Sequence, residues 1–344
     1  MARGMKRRMT YAKAGVDIDL KSECISALVD RLKDRRRGRW KLLDIPGHFT
    51  GLIDFGDLAL TLCTDGVGTK LLIAEELGIW NTVGIDCVAM NVNDTICVGA
   101  EPVAFVDYIA VDKPRPDVMS AIGAGLQRGV EQANAVIVGG EVAVMPELVN
   151  GLDLSGTCLG VVEKGKIITG QECAPGDAII GLPSSGIHSN GLTLARKIVE
   201  EAGYGYRKYV PSLGKTVGEE LLTPTMIYVK RVLGILRDFE VHGLVNITGG
   251  GLRNFVRLKQ GIGFRIDSPM KPNKIFNWLQ ELGSVDDQEM YQTFNMGMGF
   301  AMIVPNRIAK TVAERLGKGA KIVGKVDDSG KVTMPSKGLE YSKY

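Results

Sequence analysis

Apolar and polar positions alternate along the 344-residue chain in two periods, and both occur in each half. Leu58-Ala59-Leu60-Thr61-Leu62-Cys63 has the rough two-residue period of a strand. Over 83–98, apolar residues at 85, 88, 89, 92 and 96 follow helical spacing. Val118, Ile122, Leu126 and Val130 recur every fourth residue as a second helix. Strands are expected over 103–110 and 152–162, and a buried strand over 135–138 that exits at Gly139-Gly140-Glu141. In the second half, 178–182, 262–266 and 300–304 read as strands. Helices are expected there over 192–199, 219–239, 252–258, 275–282 and 308–316. Leu28 and Leu32 give only a short helical face after an N-terminal arm without a clear period. Strands and helices mixed in both halves predict α+β or mixed α/β architecture. Pro175-Gly176-Asp177 marks the junction, which predicts two domains, 1–170 and 171–344.

Composition narrows the class. Apolar residues make up 45% and charged residues 24%, as in an ordinary folded protein. No apolar run reaches the ~18 residues of a membrane span, and the basic start (Arg3, Lys6, Arg7, Arg8) has no apolar core after it. The six cysteines lie in apolar runs with no Cys-x-x-Cys pair, so buried thiols in a reducing cytoplasm are expected rather than zinc. A net charge of +3 implies no polyanionic partner. The basic run Arg31, Lys33, Arg35, Arg36, Arg37, Arg39 and Lys41 fits either a solvated surface or a nucleic-acid patch.

Candidate chemistry centres on Thr64-Asp65-Gly66-Val67-Gly68-Thr69-Lys70, the exit of the first strand. Its glycines allow a sharp turn and close approach to a ligand, and Asp65 and Lys70 offer an acid and a cation side by side. Asn91, Asn93 and Asp94 interrupt a buried helical face, and Asp94 reads either as a surface acid or as a functional one. Asp65, Asp94 and Glu141 together would repel one another without a cation, which points to Mg²⁺. Ser184-Ser185-Gly186-Ile187-His188-Ser189-Asn190-Gly191 precedes a helix whose N-terminus favours an anion. It lacks the nucleophile-elbow spacing. Gly249-Gly250-Gly251 is the last glycine-rich turn. Gly214-Lys215-Thr216 is no Walker loop, because Tyr209 stands where the first glycine belongs, and no dinucleotide fingerprint is present.

In order and combination, the stretches 11–17, 65–70, 84–94, 139–146, 184–191, 223–230 and 246–251 resemble the aminoimidazole ribonucleotide synthetase (phosphoribosylformylglycinamidine cyclo-ligase) family. One departure is visible: Val142 and Val144 stand where the family usually has Thr and Glu or Gln. The resemblance implies a homodimer whose N-terminal domains pair into an intersubunit β-barrel. It implies ATP and Mg²⁺, with K⁺ as a further cation, and formylglycinamidine ribonucleotide as substrate, with no nucleic-acid or membrane partner. The γ-phosphoryl group would pass to the formamide oxygen, the amidine nitrogen would attack, and phosphate would leave as the ring closes. In that chemistry Asp65, Asp94 and Glu141 would hold metal, and Lys70, Gly66, Gly68, Thr69, Asn190 and Gly249–Gly251 would hold phosphates. Asp65, Lys70 and His188 would be catalytic, His188 serving a developing oxyanion or a proton. The alternatives are another ATP-using enzyme of the superfamily, such as a formylglycinamidine ribonucleotide synthetase or a thiamine-monophosphate kinase, or a non-catalytic nucleotide- or RNA-binding module.

Overall fold

The computed structural model describes residues 9–32, 36–45 and 47–343. The basic residues of 1–8 and Lys33 and Arg35 of the basic run lie outside the described residues. The first half contains β1 (Leu42–Leu43), β2 (Gly51–Phe55), β3 (Leu58–Gly66), β4 (Glu101–Val111), β5 (Val136–Val144) and β6 (Leu152–Glu163). They form one sheet in the order β1-β2-β3-β6-β4-β5. All its pairings are antiparallel except β4–β5, which the helix α4 (Pro116–Ala133) connects. The other helices of this half are α1 (Ile18–Val29), α2 (Lys70–Leu77) and α3 (Val83–Thr95).

In the second half, β7 (Ala178–Pro183), β10 (Gly243–Asn246), β11 (Gly263–Ile266), β12 (Met298–Val304), β13 (Lys321–Asp327), β14 (Val332–Met334) and β15 (Leu339–Tyr341) form a seven-stranded sheet. Its order is β10-β12-β7-β13-β11-β14-β15, and β8 (Tyr209–Val210) pairs with β9 (Lys215–Thr216) apart from it. The helices are α5 (Leu192–Glu201), α6 (Val217–Leu221), α7 (Val229–Leu236), α8 (Lys274–Gly283), α9 (Asp287–Thr293) and α10 (Ala309–Leu316). All seven residues of β12 are buried, which explains its continuous apolar run.

One apolar core runs from the first sheet through α3 and α4 into the second sheet. α3 lies at its centre, and all of its residues except Asp94 are buried. It packs close to α4 because Gly84 has no side chain: a Cβ there would lie 2.4 Å from the Leu126 nitrogen. The polar groups that α3 carries inside therefore need partners. Asn93 donates to the Met226 carbonyl (2.8 Å) and accepts from the Tyr228 N–H (3.0 Å), which ties the helix to the second half.

Three expectations change. The strand at 136 does not exit at its glycines: β5 runs on through Gly139, Gly140 and Glu141, and it is the exposed edge of the sheet rather than a buried strand. The helix expected over 219–239 is two helices, α6 and α7. Pro224 breaks it, and the intervening turn directs its main-chain groups into the first half. The N-terminal segment forms a helix, α1, with Leu20, Ile25, Leu28 and Val29 all exposed along with Cys24. The other five cysteines are buried thiols. Among the described residues, no helix is long and apolar enough to cross a membrane.

Candidate active site

Asp65 is the second-last residue of β3, and α3 covers the sheet face toward which it points. Its Oδ1 accepts the Gly66 N–H at 2.7 Å. Burial raises its pKa, with the Gly66 N–H and the charge of Lys21 on α1 pulling the other way. Asp94, on α3, accepts the Asn246 Nδ2 at 2.7 Å from the end of β10. Its carboxyl is pushed up to about 7 by burial, against the pull of Asn246, and the negative charge of Asp65 pushes it further. Asp65 thus sits close enough to Asp94 to oppose its ionisation.

Three loops meet over this pair. Gly68, at φ 70° and exposed, turns the chain out of β3, and Thr69 begins α2. The Thr69 hydroxyl lies 3.1 Å from that of Thr193, so the first loop touches the start of α5. From the loop before α5, Asn190 reaches the sulfur of Met90 on α3 at 3.7 Å. The third loop follows β10 and lies against Asn190, where a Cβ on Gly249 would come 2.9 Å from the Asn190 Oδ1. Gly250 is buried at φ 148°. Gly251 has another task, since a Cβ there would come 2.0 Å from the Tyr291 carbonyl oxygen. It is a packing glycine against α9 and not part of an open phosphate cradle.

Lys70 does not face the ligand side of its loop. It is fully buried, 2.9 and 2.8 Å from the two carboxylate oxygens of Asp86, and it donates to the Thr223 carbonyl at 2.7 Å. Enclosed there, its ammonium is held inside the protein by an ion pair and a main-chain carbonyl, so the phosphate role expected for Lys70 is corrected to a clamp between the two halves. Asp86 completes the clamp by accepting the Thr225 N–H (2.7 Å) and hydroxyl (2.6 Å).

His188 is buried too, at φ 63°, and its Nε2 accepts the Ser185 N–H at 3.3 Å. Burial, with the charge of Lys70 adding to it, lowers its pKa to about 3. A ring held neutral by burial is poorly suited to the proton-shuttle expectation, and its hydrogen bond from the Ser185 N–H orders the loop.

Glu141 does not join Asp65 and Asp94. It pairs with Tyr108, which pairs with Ser155, which pairs with Gly66, so three strand spacings, about 14 Å, separate Glu141 from the first loop. In the neighbouring row, Asp65, Gly156, Asp107 and Gly140 pair in turn, so Asp107 shares the face of Asp65 and Glu141 lies on the other face. Among the described residues, no three of His, Cys, Asp or Glu are grouped so as to hold a metal.

Asp86 and Asn246 were not singled out from the sequence. Asp86 carried a signal of the same kind as Asn91 and Asn93, a polar side chain inside an apolar helical pattern. Asn246 carried none that is local.

The chain is similar to known proteins along nearly its whole length. Residues 47–162 match the family model described as AIR synthase related protein, N-terminal domain, and 174–337 match the corresponding C-terminal domain. A phosphoribosylformylglycinamidine cyclo-ligase of Methanococcoides burtonii is 50% identical over 326 residues, 94% of this chain and 97% of that protein. One of Methanococcus maripaludis is 48% identical over 332 residues, 96% and 95%. Among solved structures, AaThiL complexed with AMPPCP and TMP shares the fold with a TM-score of 0.67 at 18% identity, covering 95% of this chain and 97% of that one. With both halves matched and half-identical relatives along nearly its whole length, the chain belongs to the AIR synthase family.

Proposed function

We propose that the chain performs the reaction for which its relatives are named, the ATP-dependent closure of formylglycinamidine ribonucleotide to aminoimidazole ribonucleotide with release of ADP and phosphate, in purine biosynthesis. The observation that carries this reading is the convergence of Asp65, Asp94 and three loops on one face of α3. Gly66, Gly68 and Thr69 on one side and Asn190 with Gly249 on the other would border the phosphates. Lys70 and His188 stand behind the loops and fix their course.

A divalent cation fits the residues present. Two half-buried carboxylates both have raised pKa values, and the buried Oδ1 of Asn91, on the helix that carries Asp94, has no hydrogen-bond partner. Asp65 and Asp94 would hold Mg²⁺, which when bound neutralises phosphate charge. The chain's own part is to bring ATP and the formamide oxygen into line and to keep water out.

The same reading includes a homodimer joined through the first sheet. On the face that α3 leaves open, Leu62 is 60% and Tyr108 40% exposed, with Phe55 and Val106 beside them. Next to them β5 presents an unpaired edge bearing exposed Val136, Val138, Val142 and Val144. The open apolar face, together with a bare edge whose Val142 and Val144 lie on the opposite side of the sheet, suits a second copy of the same sheet. Val142 and Val144, the family departure, then belong to this edge.

Incubating the purified protein with formylglycinamidine ribonucleotide, ATP and Mg²⁺ should yield the aminoimidazole product and ADP in equal amounts. ADP formed only with thiamine monophosphate, or none with either, would overturn the reading. In sedimentation the active species should be a dimer, and a fully active monomer would remove that part.

A further inference from the structure

Asn91 is fully buried on α3, and the position of its amide is set by its neighbours. Nδ2 donates to the Cys87 carbonyl one turn back, at 2.8 Å, and to the Asp65 carbonyl at 3.2 Å. Both partners are acceptors, so the amide cannot be turned over without setting oxygen against oxygen. Oδ1 is therefore held in the interior with no donor. An unpartnered buried oxygen of this kind is costly, about 1–3 kcal/mol, and calls for an occupant.

Its surroundings indicate which occupant. Asp94 lies three residues on, on the same helix face, and Nδ2 is tied to the main chain of Asp65. The amide thus lies against the main chain of Asp65 and one helical turn from Asp94. Two carboxylates and a neutral amide oxygen make a set of hard oxygen donors, which suits a hard divalent cation.

We propose that the Asn91 Oδ1 is a neutral third ligand for the divalent cation held by Asp65 and Asp94. The inference rests on the metal reading above, and its test is arranged to tell the two apart. Free Mn²⁺ would be titrated against the whole protein by electron paramagnetic resonance, without ATP. The wild type would be compared with Asp94→Asn, Asn91→Leu and Asn91→Asp, with melting temperature recorded for each. Asp94→Asn and Asn91→Leu should each weaken Mn²⁺ binding about tenfold, about 1.4 kcal/mol. Asn91→Asp loses the same Nδ2 bonds as Asn91→Leu but keeps an oxygen, so it should bind at least as well as the wild type. Wild-type affinity in Asn91→Leu, with loss in Asp94→Asn, would overturn the role of Asn91 and leave the two-carboxylate site standing. Wild-type affinity in both would overturn the site itself. Should the variants not fold, ¹⁵N-asparagine-labelled wild type settles the question: Mg²⁺ should shift the Asn91 side-chain amide signal, and an unmoved signal overturns the proposal.

Discussion

Lys70→Met should act on stability before it acts on ATP. The substitution keeps an unbranched apolar stem but removes the ammonium between Asp86 and the Thr223 carbonyl. Both side chains of the ion pair are wholly buried, so Asp86 would be left as an unpaired interior charge. Breaking such a pair from one side costs about 3–5 kcal/mol. Asp86 would keep two donors from Thr225, at 2.7 and 2.6 Å, which places the expected loss at the lower end, about 3 kcal/mol. For domains of this size that is a fall of about 6–12 °C in melting temperature. Adding Asp86→Asn to Lys70→Met should recover part of the loss, because an amide oxygen still accepts from Thr225 and no charge remains buried. Thermal melts of the three variants, run beside ATP kinetics, test the argument. A Lys70→Met protein that melts within about 1 °C of the wild type but needs far more ATP would refute the clamp and return Lys70 to the phosphates.

Two further outcomes are expected. His242 joins Asp177 (2.7 Å) and Glu240 (3.0 Å); burial opposes its charge, but the two carboxylates outweigh burial and raise its pKa. A raised folded value means its contribution is complete below the unfolded pKa of about 6.5 and is lost as pH rises through the folded one. Relative to the wild type, His242→Gln should therefore be least stable below about pH 6.5, with the gap narrowing as pH rises through the raised folded value, and a pH-independent gap in urea melts would exclude the effect. Glu141→Gln should leave the Mg²⁺ dependence of the rate within about twofold of wild type, whereas a tenfold weakening would restore Glu141 to the metal site.

What could be read from the sequence, and what could not, follows from where each residue's partners lie. The core of the fold was legible because in β3 and α4 the apolar period coincides with the face that is buried, while α3 is buried nearly all round. Asp94 was legible for a related reason. A polar side chain set inside a buried helical pattern must meet a partner or a ligand, and that demand shows in the pattern itself. Lys70 was misread because its neighbours in sequence suggest a ligand loop, while its direction is decided by Asp86, sixteen residues away, and by Thr223 in the other half. A glycine pair hid the continuation of β5, and with it the alternation that sends Glu141 to the face opposite Asp65. His188 stands among small and polar neighbours in a loop, which suggested chemistry, yet the loop folds inward at its positive φ and encloses the ring. A charge beside glycines thus says that the chain turns, but not which way the charge then points. A polar residue that interrupts a buried face carries more information, because burial itself obliges it to find a partner. By that criterion Asn91, whose oxygen has found none among the described residues, is the strongest pointer to a ligand on α3.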